Sequence, residues 1–78
     1  MTLSFFGEGE AQVVRYYVNK IAQRNGDHEV HKPDCKFLPS ERIDLGEHNS
    51  CHTAVEMAKA YFWQSNGCAF CTPACHVS

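Results

Sequence analysis

Apolar and polar positions alternate most clearly near the start of the chain. In the run QVVRYYVNKIA, from Gln12 to Ala22, the residues Val14, Tyr16 and Val18 alternate with Arg15, Tyr17 and Asn19. A period of two in β-branched and aromatic residues predicts a strand, with a short helix as the rival reading. Asn25-Gly26-Asp27 is a turn signal, and His28 to Lys32 can pair back as a second strand of a hairpin. Pro33 and Pro39 impose an irregular stretch. After it, Arg42 to Gly46 alternates Ile43 and Leu45 with charged residues, as a short third strand does.

The period then changes. Ser50 precedes a stretch from Cys51 to Gln64 that has neither Gly nor Pro and many good helix formers. Cys51, Val55, Ala58 and Phe62 share one face at helical spacing, with Ala54 and Tyr61 beside them. That face is expected to cover the sheet. Gly67 is suited to the left-handed position that closes a helix, and Tyr61 and Trp63 are read as helix-to-sheet packing. The tail from Cys68 to His76 is too rich in Cys, and too broken by Pro73, to form another regular element. The expected fold class is therefore α+β: a small antiparallel sheet of two or three strands, one main helix of about four turns, and a metal knuckle. Residues 1–10, in which an unsupported pair Phe5-Phe6 precedes Gly7 and Gly9 alternating with acids, read as a loosely held leader; residues 11–78 read as a single small domain.

Size changes the picture, because 78 residues make one small domain whose core alone seldom supplies more than about 3–5 kcal/mol. A staple is needed. The chain carries five Cys and five His at a formal net charge of -2. That charge supplies no broad basic field for phosphate binding. The longest apolar run, near Ala60 to Trp63, is far below the roughly 20 residues of a membrane helix, and no export signal is visible. The expected location is cytoplasmic, with no membrane partner. In a reducing compartment, closely spaced Cys are more often metal ligands than structural disulfides.

Two ligand pairs stand out. Cys68-x2-Cys71 can turn both thiolates into one tetrahedral site, and His31-x3-Cys35 sits where the second strand enters a Pro turn. Together they form a three-Cys, one-His set, ordinary for a single structural Zn2+ per chain. Cys75 or His76 could replace His31 as the fourth ligand. Cys51 reads as a small core residue, or as a disulfide partner of Cys75. His28 reads as a surface residue paired with Asp27 or Glu29, and His48 and His52 as a solvated pair with His48 outside the helix. Lys32, Lys36 and Arg42 are interrupted by Asp34 and Glu41, and read as a mixed, solvated surface. No catalytic set of Ser, His and Asp and no phosphate-cradling Gly loop is found, so the chain is not expected to be an enzyme.

The segments HEVHKPDCKFLP, RIDLGEHNSCHTAVEMAKAYF and NGCAFCTPACH, in that order, resemble the metal-binding family typified by the N-terminal zinc domain of the Ada alkylation-response protein, and more closely its short stand-alone bacterial relatives. The likeness covers roughly Tyr16 to His76. It implies a zinc site on His31, Cys35, Cys68 and Cys71. In the Ada domain the first Cys of the x3 pair accepts a methyl group from a DNA phosphotriester; here that position is His31, whose imidazole offers no thiolate. The resemblance thus implies the fold and metal site without the repair activity. The expected task is that of an interaction module whose partner stays open between a protein and, by family analogy alone, nucleic acid. A thiol-disulfide redox protein using Cys68, Cys71 and Cys75 is the rival function.

Overall fold

The computed structural model describes residues 13–77, so the leader, the Phe5-Phe6 pair and the expected strand start at Gln12 lie outside the described residues. Strand β1 spans Val14–Asn19, β2 His28–His31 and β3 Arg42–His48. Helix α1 spans Cys51–Tyr61, strand β4 Ser65–Gly67, and a 3-10 turn Pro73–Cys75 closes the chain. The sheet order is β3-β1-β2-β4.

The alternation in β1 fixes which side meets the helix. Tyr16, Val18, Val30 and Leu45 are buried with Cys51, Ala54, Val55 and Ala58 of α1 in one core cluster. The helical residues of that cluster recur at i, i+3, i+4 and i+7, as the sequence pattern requires. β1 pairs antiparallel with both β2 and β3. Opposite Tyr16 and Tyr17 the register slips, leaving Leu45 as the extra residue of a bulge, and Gly46 takes a φ of 82° there. Only a residue without a Cβ adopts that value cheaply. Gly26, at a φ of 94°, turns the loop before β2, and Asp27 N–H donates to Asn25 Oδ1 at 2.9 Å, which is an Asx turn.

Several expectations need correction. The sheet has four strands, not two or three, and it is mixed: β4 pairs parallel to β2, with His28 opposite Ser65 and Val30 opposite Gly67. The sequence Ser-Asn-Gly has no strand propensity, so its state is set by the neighbour it pairs with and not by local preference. Second, α1 has 11 residues and stops at Tyr61, short of Gln64. Phe62 leaves the helix in an extended conformation, with a φ of -138°, and stacks flat on His28 at 3.8 Å between ring centroids. Packing has overridden propensity. Third, Tyr61 and Trp63 do not pack on the sheet: they are 55% and 81% exposed, Tyr61 at the last position of α1 and Trp63 beyond its end. Cys51 satisfies both of its readings, being 9% exposed in the core and disulfide-bonded to Cys75.

Gly67 is not a helix cap. A Cβ there would lie 2.7 Å from backbone and side-chain carbons of Cys75 and 2.8 Å from Thr72 O. The glycine is required by close approach of the tail to β4. Among the described residues no helix is long and apolar enough to cross a membrane.

The side chain of Asp27 ties the β1–β2 loop to the strand after the helix, accepting from Gln64 Nε2 at 2.8 Å and Asn66 Nδ2 at 3.2 Å. These hydrogen bonds, that from Gln64 foremost, hold its carboxyl below the ordinary value of 3.8. A lowered carboxylate pKa stabilises the fold above the ordinary value, and that contribution is lost as pH falls through the folded value. Asp27→Asn should therefore be destabilising near neutrality by about 1 kcal/mol, with the gap to the parent protein closing below pH 3.8; urea unfolding across a pH series checks this. Gly67→Ala should cost about 1–3 kcal/mol through overpacking against fixed backbone, seen as a lower urea midpoint at unchanged slope.

Candidate metal centre

The parallel pairing of β2 and β4 determines where the ligands go. Adjacent parallel strands finish at the same end of a sheet, so the residues that leave β2 and β4 emerge side by side. His31 is the last residue of β2 and Cys68 follows β4 directly, with Cys68 N–H donating to Val30 O at 3.1 Å. Each strand then turns tightly. Cys35 N–H donates to Lys32 O at 3.2 Å in the first turn, and Thr72 N–H donates to Cys68 O at 2.9 Å in the second. Thr72 Oγ1 also donates to Val30 O, at 3.0 Å, fastening the second turn to β2.

His31, Cys35, Cys68 and Cys71 come together, each with one ligand atom, and all four atoms lie within 4.8 Å of one another. The nearest separations are informative. Cys35 Sγ lies 3.5 Å and Cys71 Sγ 3.8 Å from His31 Nδ1, and Cys35 and Cys68 sulfurs are 3.9 Å apart. A tetrahedron with metal–sulfur bonds of about 2.3 Å and metal–nitrogen bonds of about 2.0–2.1 Å has edges of about 3.8 Å between sulfurs and about 3.6 Å between sulfur and nitrogen. These three edges match it closely. None of the three thiols is in a disulfide. These four groups could hold a metal ion.

The surroundings favour that use. His31 is 1% exposed, and burial pushes its pKa below 6.5, keeping the imidazole neutral as a ligand must be. Its Nε2 meets Asn19 Oδ1 at 2.8 Å. That bond assigns the ring proton to Nε2, because an amide oxygen only accepts, and leaves the Nδ1 lone pair facing the sulfurs. Lys32 N–H donates to Cys71 Sγ and Phe70 N–H to Cys68 Sγ, both at 3.4 Å. Such donors disperse thiolate charge. Without a cation, burial first and then a hydrogen bond with Cys35 push the Cys71 thiol up to about 12. A bound divalent cation reverses that preference and deprotonates a coordinating thiol outright.

The other sequence candidates lie elsewhere. Cys75 is joined to Cys51, and His76 Nδ1 meets Gly67 O at 2.9 Å. His28 is not a surface partner of Asp27 or Glu29; its Nδ1 donates to Asn19 O at 2.9 Å. His48 stands at the end of β3, outside the helix as expected, bonded to Thr53 Oγ1 and Leu45 O at 2.9 Å each. Asn19 was not singled out by the sequence. A polar residue closing a strand of Val and Tyr, two positions along from Tyr17, the cross-strand partner of His31, is the signal that could have found it. Glu29 was missed as well: its carboxylate is 3.9 Å from His31 Nε2, and burial raises its pKa.

Asn19→Ala should leave the sheet intact, since the backbone carbonyl that serves His28 remains, yet lower metal affinity by about 10–100-fold through loss of the imidazole's support. Competition against a chromophoric chelator of known affinity measures it; unchanged affinity would mean that Asn19 does not orient the ligand. No model of a known family matches the chain, and no curated protein and no solved structure is detectably similar to it.

Proposed function

We propose that the protein is a small zinc-binding domain in which His31, Cys35, Cys68 and Cys71 hold one Zn2+ in a structural role. The observation that carries this reading is the gathering of four ligand atoms within 4.8 Å of one another, three of whose separations, 3.5, 3.8 and 3.9 Å, suit the edges of a zinc tetrahedron. Three thiolates and one imidazole suit zinc over the hard cations, which take oxygen. Zinc supplies charge neutralisation and a cross-link there. Four protein ligands close the shell and leave no position for an activated water, so on this reading the metal performs no hydrolysis.

Its task on this reading is to present a surface on rigid loops. The two ligand loops meet outside the cluster in an edge-to-face pair of Phe37 and Phe70, 5.4 Å apart, with Lys36 Nζ 5.0 Å from the Phe70 ring. Both rings are more than half exposed. Exposed aromatics on metal-held turns support a protein partner, because their position is fixed before binding and little ordering entropy remains to be lost. The resemblance to the Ada-type zinc domains agrees with the same ligand set. With His31 in place of the methyl-accepting Cys, the domain keeps the site and lacks the acceptor.

Native mass spectrometry of protein purified without added metal should find one zinc per chain. Removal by a strong chelator should unfold the domain, because metal-binding energy is folding energy in a site of this kind. Cys68→Ser should lose the metal and with it the cooperative unfolding transition. A metal-free chain that stays folded, with its three thiols accessible to alkylation, would overturn the reading.

A further inference from the structure

Cys51, His52 and Cys75 form a second group whose ligand atoms all lie within 4.8 Å of one another. The two sulfurs are bonded to each other, so in this state the group has no thiolate to offer. We infer that reduction of the Cys51–Cys75 disulfide opens a second metal site, made of two thiolates and the His52 imidazole, for a thiophilic divalent cation of the zinc type.

Four features of the structure support it. Cys51 is the first residue of α1, an 11-residue helix whose N-cap Ser50 makes no side-chain capping bond and whose first turn has no acidic residue. Cys51 therefore sits at the positive end of the helix dipole, beside N–H groups that no side chain caps, a position that lowers the cost of a thiolate. Cys75 lies on the short turn Pro73–Cys75 and is half-buried, and His52 is exposed. A surface cavity of about 240 Å³, lined by His52, Val55, Glu56, Ala74, Cys75 and Val77, gives access to the disulfide. The Cα atoms of the two cysteines are 6.2 Å apart, and sulfurs that bind one tetrahedral ion need only separate to about 3.8 Å.

The chemistry balances with an external reductant. A dithiol gives two electrons and two protons to the disulfide, attacking Cys75 Sγ so that Cys51 leaves as the dipole-stabilised thiolate, and itself ends as a disulfide. Metal binding then displaces the two thiol protons. Three protein ligands leave the remaining coordination position to an exchangeable water, in contrast to the closed shell of the first site. The second site would thus load only under reducing conditions.

The test counts zinc by native mass spectrometry after equilibration with excess Zn2+ and desalting. Air-purified protein is compared with protein reduced by a trialkylphosphine, which takes its oxygen from water as each sulfur gains one electron and one proton. The parent chain should carry one zinc when oxidised and two when reduced. Cys51→Ser/Cys75→Ser should carry one in both states. His52→Ala, at an exposed position that does not threaten the fold, should weaken the second zinc by no less than the roughly tenfold that loss of an outer-shell partner costs. One zinc in both states, with all five thiols titratable after reduction and denaturation, would overturn the inference. So would a second zinc bound equally tightly by His52→Ala. No zinc when oxidised and one when reduced would support this site and refute the four-ligand centre, so the two readings fail separately.

Discussion

The parallel pairing of β2 with β4 is the constraint on which the rest of the molecule depends. It is a small contact, three residues on each strand. Yet it decides which end of the sheet each ligand turn leaves from. An antiparallel β4 would send Cys68 and Cys71 to the opposite end from His31 and Cys35, and no metal could bridge them. The dependence also runs the other way: a three-residue Ser-Asn-Gly strand has too little intrinsic preference to hold itself, and the turn-to-strand bonds from Thr72 and Cys68 to Val30 secure it. Turn and strand support one another, and a metal held by the four groups would reinforce both.

Two cross-links act on the same short tail. The disulfide ties residues 24 apart, and in the chain-entropy picture a loop of that size contributes about 3–4 kcal/mol by restricting the unfolded chain. The metal, when bound, ties His31 to Cys71 across most of the domain. Gly67 sits between the two, pressed against Cys75 and Thr72, so the tail that carries the disulfide is packed on the strand that leads to the metal ligands. Among the described residues the core contains few large side chains, Val18 and Val30 being the largest fully buried aliphatic ones. A domain of this size is expected to depend on such links more than on its core.

Much of this was legible in the sequence. Val14, Tyr16 and Val18 gave the inward face of β1, and Cys51, Ala54, Val55 and Ala58 gave the helix face, because both faces are buried and their periods survive. The four candidate ligands were legible from Cys-x2-Cys and His-x3-Cys, since short turns fix the relative placement of residues so spaced. What failed was non-local. β4 has no sequence signal because its partner, not its composition, makes it a strand. The helix end was misplaced because Phe62 gains more by stacking on His28 than by continuing α1. Gly67 was noticed for its freedom of φ when its lack of a side chain is what matters. Asn19 escaped because its value comes from a cross-strand neighbour.

The most direct measurement is X-ray absorption at the zinc edge of the zinc-loaded protein with its disulfide intact. Three sulfurs at about 2.3 Å and one nitrogen at about 2.0–2.1 Å, the nitrogen lost on replacing His31, are the expected first shell. A shell of four sulfurs, or one dominated by nitrogen and oxygen, would contradict a centre built from His31, Cys35, Cys68 and Cys71.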